Sequence, residues 1–169
     1  MACLPVELLA KAAEVMEACR VGGATVALAE SCTGGLVAAA LTSLPGSSSF
    51  VERGFVTHSN AAKSELLGVP SALIEGHGAV SEEVARAMAE GALAHSPATA
   101  SLAVTGIAGP TGGSPGKPVG TVHLAAAARG RPTLHARLLC GGDRDAVRQA
   151  SAIAAMDLLI RRLTEEAAA

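Results

Sequence analysis

The sequence is poor in aromatic residues and carries no excess of positive charge. Its 169 residues include two phenylalanines and neither tryptophan nor tyrosine, and 13 lysines and arginines face 15 aspartates and glutamates. Proteins that bind nucleic acid need a basic surface to neutralise phosphates and, for single strands, aromatic rings that stack on bases. The composition therefore argues against a nucleic-acid partner.

Membrane spans, export signals and closely spaced metal ligands are also missing. Half of the residues are hydrophobic, yet no apolar run reaches the ~18 residues of a spanning helix. The start, MACLPVELLAKAAEV, has no basic segment before an unbroken apolar core, so no signal peptide is expected. The four cysteines lack CxxC spacing and the five histidines lack HxH or HxxxH pairs. These absences predict free thiols, no metal, no membrane association and a cytoplasmic protein.

Segments with strand and helix patterns alternate along the chain. Strands separated by helices indicate parallel pairing, and two late strands on either side of RGRP indicate a hairpin. The sequence thus predicts one α/β domain, residues 1–169, with a mixed sheet, and so apolar a chain predicts a homo-oligomer with buried subunit contacts. The predicted strands are 24–30, 50–58, 99–105, 119–128 and 133–140, and the predicted helices are 5–20, 35–44, 60–68, 82–95 and 144–163. Residues 106–118, rich in glycine and proline, are predicted to be a ligand loop.

The stretch ESCTGG lies where a strand gives way to a helix, which is where open α/β sheets place ligands. Ser31 would stand at the carboxyl end of the strand, and Thr33, Gly34 and Gly35 would offer backbone N–H groups to an anion or oxyanion. The alternative is that Ser31 and Thr33 only cap the helix, as serine and threonine often do. Cys32 is a rival nucleophile, but cysteine is often buried and no charge pairs with it in sequence, so we favour core packing.

Lys63 is predicted in the first turn of a helix, where the helix dipole opposes a cation. It is either an ordinary solvated lysine or a lysine with a functional role. A helix start and partial burial both favour the neutral amine, which could accept the proton of a serine hydroxyl in Ser–Lys catalysis. His58, at the preceding strand end, could be a hydrogen-bond donor, a second base or a surface histidine.

Two arginines stand one turn apart at the start of the last helix, in GGDRDAVRQ. Arg144 and Arg148 repel each other there, and both oppose the helix dipole. A bound phosphate would relieve both penalties through bidentate contacts. Pairing with Asp143 or Asp145, or plain solvation, explains the pattern equally well.

Five stretches together resemble one known family, the CinA C-terminal domain family of stand-alone nicotinamide-nucleotide amidohydrolases. The resemblance runs in register from about residue 5 to 163. Each motif is weak alone, but the five in this order are specific. They are AESCTGG, ERGFVTHSNAAKSELLGV, HGAVSEEVA, TGIAGPTGGSPGKPVGTV and GDRDAVRQ.

The resemblance implies a three-layer α/β/α sandwich with a mixed, mostly parallel sheet. It implies hydrolysis of the carboxamide of nicotinamide mononucleotide, a pyridine nucleotide, to nicotinate mononucleotide and ammonia, with neither metal nor organic cofactor. The family's nucleophile falls on Ser31 and its base on Lys63. The family's usual tyrosine is replaced by His58, which titrates near neutrality and is expected to alter the pH profile.

The resemblance also assigns substrate contacts. Thr105 and Gly106, at a strand end in TGIAGP, become sources of backbone donors, and Arg144 and Arg148 become phosphate or carboxamide-side contacts. Two other readings stay open. One is a non-catalytic module that binds pyridine nucleotides in the same pocket, and the other is a structural or interaction protein that retains only the fold.

Overall fold

The computed structural model describes residues 3–165, which form six α-helices and five β-strands. The strands are Val26–Glu30 (β1), Val51–Val56 (β2), Ala100–Gly106 (β3), Thr121–Ala128 (β4) and Arg131–Leu139 (β5). The helices are Val6–Gly22 (α1), Leu36–Thr42 (α2), Asn60–Leu67 (α3), Ser71–His77 (α4), Glu82–Ala94 (α5) and Arg144–Thr164 (α6). Each predicted strand and helix is present, with bounds that differ by two residues at most.

The five strands form one mixed sheet in the order β2-β1-β3-β4-β5. Strand β1 pairs in parallel with β2 and β3, whereas β4 pairs antiparallel with both β3 and β5. Four of these strands therefore share one direction and β4 opposes them, which confirms a mixed and mostly parallel sheet. The predicted hairpin is β4–β5, and it turns at Arg129 and Gly130.

Helices cover both faces of the sheet, so the predicted three-layer α/β/α fold is confirmed. Alternate residues of β1 point to opposite faces. Val26 and Leu28 join the core beneath α1, α2 and α6, while Ala27 and Ala29 join the core beneath α3, α4 and α5. A strand buried on both faces explains why the run 24–30 is nearly all apolar.

Three helices begin with side-chain caps. Ser59, Ser81 and Asp143 accept hydrogen bonds from the N–H groups of Ala62, Val84 and Ala146. The helix that sequence patterns missed is α4.

Asp157 interrupts the apolar side of α6 in the sequence, and its place in the fold explains the exception. Its side chain is more than half exposed, and its Oδ1 lies 2.7 Å from Nζ of Lys11 in α1. Helix α1 packs against α6, so the carboxylate lies at the rim of their contact.

No helix within residues 3–165 is long and apolar enough to cross a membrane. A cytoplasmic location and a homo-oligomer stay predictions. So does the single domain over 1–169, of which residues 1–2 and 166–169 lie outside the described part of the chain.

Candidate active site

The carboxyl ends of β1, β2 and β3 meet at one edge of the sheet and surround a cavity of about 300 Å³. Ser31 follows β1, His58 lies two residues after β2, and Thr105 and Gly106 end β3. These are the strand ends at which open α/β sheets bind ligands. The cavity is lined by Ser31, Cys32, His58, Asn60, Lys63, Ala79, Val80, Thr105–Ala108, Gly109, Thr111, Gly112 and Arg144.

Ser31 and Lys63, 32 positions apart in sequence, are in hydrogen-bond contact. Nζ of Lys63 lies 3.1 Å from Oγ of Ser31. The same amine lies 2.9 Å from the carbonyl oxygen of Thr57 and 3.5 Å from that of His58. Three oxygens therefore surround Nζ, and one of them is the hydroxyl that the sequence singled out.

Lys63 is buried, with 1% of its surface exposed, although it is a lysine. Burial lowers the pKa of its amine from the ordinary value, because removal from water penalises the ammonium form. No carboxylate within residues 3–165 lies at ion-pair distance from this amine. The surroundings thus favour a neutral amine, as expected for a base that accepts the proton of Ser31.

Cys32 also borders the cavity, but its thiol is poorly placed for nucleophilic attack. The side chain is 7% exposed and belongs to the core beneath α1, α2 and α6. Burial raises the pKa of the thiol to about 12. The reactive thiolate is therefore strongly disfavoured at neutral pH, which supports core packing for Cys32.

Thr33, Gly34 and Gly35 do not line the cavity, and their contact with substrate stays a prediction. Thr33 is fully buried and its hydroxyl donates to Glu30 over 2.7 Å. The N–H of Gly34 donates to the carbonyl of Ser31. The first turn of α2 is capped by an anion from within the chain.

That anion is Glu30, which the sequence analysis did not single out. It is 2% exposed, and its two oxygens accept the N–H groups of Val37 and Ala38 over 2.9 and 3.0 Å. Gly35 precedes α2 without any side chain that could cap it, so Glu30 supplies the cap from six residues upstream. The sequence signal that could have identified Glu30 is a carboxylate at the end of an otherwise apolar strand.

Thr105 and Gly106 line the cavity, and their role as backbone donors to the substrate stays a prediction. The Thr105 hydroxyl is already engaged, because it donates to the carbonyl of Ala79 over 2.8 Å. The loop that follows supplies Ile107–Gly109, Thr111 and Gly112 as one wall, which agrees with the predicted ligand loop. The amide of Asn60, at the start of α3, completes the polar lining and was missed because a helix-start asparagine reads as a cap.

The two arginines of α6 have different surroundings. Arg144 is exposed, borders the cavity and donates from Nη1 to the carbonyl of Gly109 over 2.8 Å. Arg148 donates from Nε to the carbonyl of Cys32 over 3.2 Å and from Nη2 to that of Thr33 over 3.0 Å. Arg144 lines the cavity and Arg148 does not, and a substrate contact from either arginine stays a prediction.

His58 reaches the site in two ways. Its carbonyl faces the amine of Lys63, and its side chain, exposed to solvent, borders the cavity. Within residues 3–165, no group of three or more histidine, cysteine, aspartate or glutamate side chains is arranged to hold a metal ion. The absence of a metal or organic cofactor from the reaction stays a prediction.

The chain matches the family model described as the CinA C-terminal domain over residues 9–163. It is 55% identical over 137 residues to a CinA-like protein of Anaeromyxobacter sp. (strain Fw109-5), a match that covers 81% of this chain and 33% of that protein. A CinA-like protein of Geobacter sulfurreducens is 54% identical over 141 residues, covering 83% of this chain and 34% of its own. The chain thus spans about a third of the length of the curated relatives that it matches.

Two solved structures share the fold over nearly their whole length. The crystal structure of the competence/damage inducible protein CihA from Agrobacterium tumefaciens superposes with a TM-score of 0.93 at 45% identity, covering 98% of this chain and 100% of that one. The competence damage-inducible protein A (ComA) from Klebsiella pneumoniae gives a TM-score of 0.89 at 37% identity, with 95% and 99% covered. This similarity supports the topology.

Proposed function

Because this chain belongs to the CinA C-terminal domain family, we propose that it is an amidohydrolase acting on nicotinamide mononucleotide. The reaction takes up water and converts the ring carboxamide to a carboxylate with release of ammonia. Ser31 is the nucleophile and Lys63 is its base. The contact between Ser31 Oγ and the buried amine of Lys63, at 3.1 Å, carries the proposal.

The chemistry divides into two halves that use the same two groups. The neutral amine of Lys63 accepts the Ser31 proton as Oγ attacks the carboxamide carbon, and the resulting ammonium returns a proton to the departing ammonia. An ester to Ser31 is left. Water then attacks this ester, with Lys63 again accepting the proton and returning it to Ser31. At 3.1 Å, either Ser31 Oγ or Lys63 Nζ can donate the hydrogen bond between them.

The remaining lining fits a ligand with a planar ring at one end and an anion at the other. The glycine-rich wall from Gly106 to Gly112 allows a ring and its carboxamide to approach the backbone closely. The cavity lining contains one lysine, Lys63, and one arginine, Arg144, and we assign the phosphate to Arg144. Its guanidinium retains free donors beyond the Nη1 bond to Gly109.

The test is ammonia release from nicotinamide mononucleotide, its riboside and the corresponding dinucleotide. We expect release from the mononucleotide by the wild type, a loss of about a thousandfold or more in Ser31→Ala, and near-normal release in Cys32→Ala. A serine variant that keeps its rate, or a cysteine variant that alone loses it, would refute the assignment.

The second candidate is a non-catalytic module that binds pyridine nucleotides in the same cavity. It is favoured by one observation, namely His58 at the place on the cavity where related sequences are expected to carry tyrosine. Calorimetric binding of the mononucleotide without ammonia release would support the module over the enzyme.

A further inference from the structure

The turn that carries Ser31 is held from two sides by charged side chains that do not reach the cavity. Glu30 binds the hydroxyl of Thr33 and the first N–H groups of α2. Arg148, from α6, binds the carbonyls of Cys32 and Thr33. Thr33 is thus tied at its hydroxyl to the anion and at its carbonyl to the cation.

The two contacts use the geometry of each charged group fully. Both oxygens of Glu30 accept hydrogen bonds from backbone N–H groups. Glutamine could not reproduce this, because its amide NH2 group would face one of these N–H donors in place of an accepting oxygen. The guanidinium of Arg148 presents two N–H groups to two successive carbonyls. Within residues 3–165, neither side chain takes part in an ion pair. Both charged groups therefore interact with the backbone and a side chain of this turn.

The backbone of Ser31 itself is fixed only by its neighbours in the sheet and the turn. Its N–H donates to the carbonyl of Val104 over 3.0 Å, and its carbonyl accepts from Gly34 over 3.1 Å. The direction of Oγ toward Lys63 depends on the turn keeping this shape. A displacement of about 1 Å is enough to reduce a reaction rate about 100-fold when reacting groups must be aligned.

We propose that Glu30 and Arg148 are positioning residues, which hold the turn after Ser31 so that its hydroxyl faces the amine of Lys63. This inference rests on the proposed amidohydrolase function. It also gives Arg148 a role different from that of Arg144, one helical turn earlier. Arg144 acts on the loop wall and the substrate anion, whereas Arg148 acts on the nucleophile.

The experiment compares Arg148→Gln, Arg148→Lys and Glu30→Gln in ammonia release, with Arg161→Gln as the control. Arg161 lies on the same helix, is exposed and pairs with Glu165, remote from the turn. We expect kcat to fall about 100-fold in Arg148→Gln and Glu30→Gln while KM stays within about twofold. Arg148→Lys should recover part of kcat, because an ammonium can still reach one carbonyl. The control should match the wild type.

A double-mutant comparison separates positioning from loss of stability. In a Ser31→Ala background, Arg148→Gln should have no further effect on the residual rate, because the hydroxyl that Arg148 positions is absent. A rate loss that persists in this background would overturn the proposal. A change confined to KM for the phosphorylated substrate would also overturn it, and would return Arg148 to phosphate binding.

A second measurement does not depend on the proposed substrate. The rate at which phenylmethylsulfonyl fluoride modifies Ser31, followed by intact mass, reports the reactivity of the hydroxyl. It should fall in Arg148→Gln and Glu30→Gln and be unchanged in Arg161→Gln. If the wild type releases no ammonia but shows this pattern, the proposed function fails and the positioning role stands. If wild-type Ser31 is not modified at all, the positioning role fails.

Discussion

His123 Nδ1 lies 2.9 Å from His135 Nε2, and the two imidazole rings are stacked with centroids 5.1 Å apart. Such a bond requires one ring nitrogen to donate and the other to accept, so at least one ring must be neutral. Nδ1 of His135 lies 3.6 Å from Oε1 of Glu82 at the start of α5. The pair therefore links β4, β5 and α5.

This pair predicts that the protein loses stability in mild acid. Burial is the main cause that lowers the pKa of both histidines. Arg137 and Lys117 lower the pKa of His123 further, and Arg86 lowers the pKa of His135 further. Glu82 opposes the shift of both pKa values. Between about pH 6.5, where unfolded histidine titrates, and the lower folded-state pKa values, the unfolded chain binds more protons. The free energy of unfolding should thus fall as the pH falls through this window.

Urea denaturation at a series of pH values measures the effect. His123→Gln should flatten the dependence, since glutamine keeps a hydrogen-bonding partner for His135 but does not titrate. An unchanged slope in this variant would mean that other groups cause the acid sensitivity.

Gly91 of α5 leaves no room for a larger side chain against α3. A Cβ added there would lie 2.1 Å from the carbonyl oxygen of Leu67, a backbone atom that cannot rotate away. Gly91→Ala should push the helices apart and cost about 1–3 kcal/mol of unfolding free energy. Because Leu67 follows Lys63 by one helical turn, ammonia release should fall as well.

Gly76 of α4 supplies the matched control for this substitution. It is exposed and helical, and an added Cβ would meet nothing within 4 Å. Gly76→Ala should be neutral or stabilise by up to ~1 kcal/mol through the lower entropy of the unfolded chain. Equal unfolding free energies for the two alanine variants would contradict the close-contact argument.

The elements of the fold were predictable because hydrophobic period and caps are local properties of the sequence. Ser31 was singled out at a strand end and Lys63 at a helix start, which are also local features of the sequence, whereas Thr105 was assigned by the family resemblance. Parallel strands bring their ends together. What the sequence could not provide is the partner of each side chain. Thr33 binds Glu30 and Arg148 binds backbone carbonyls, and these choices depend on how α2 and α6 pack.

Arg144 is expected to recognise the phosphate of the substrate. Arg144→Gln should raise KM for nicotinamide mononucleotide about tenfold or more, as expected for loss of a charged hydrogen bond, and leave the riboside nearly unaffected. Steady-state ammonia release on both substrates measures the difference. Equal losses on the two substrates would show instead that Arg144 serves the loop through Gly109.

Lys63 is expected to work as a neutral amine, so the rate of ammonia release should rise with pH through its lowered pKa and then level off. Lys63→Arg should lose a factor of about 100 to 10,000, because a guanidinium cannot give up its proton in the working range. The control is Lys11→Arg, at a lysine that pairs with Glu14 and Asp157 and should tolerate the exchange. An active Lys63→Arg enzyme would show that position 63 supplies charge and not a base.

His58→Tyr tests whether the side chain at position 58 supplies a hydrogen bond or the base. The imidazole borders the cavity and is exposed, whereas the backbone carbonyl of the same residue faces Lys63. Because the contact to Lys63 comes from the backbone, a tyrosine should preserve it, and its hydroxyl can still donate to a substrate. We therefore expect His58→Tyr to keep or raise the rate of ammonia release. A nearly inactive His58→Tyr enzyme, measured beside an active Lys63→Arg enzyme, would transfer the base from Lys63 to His58.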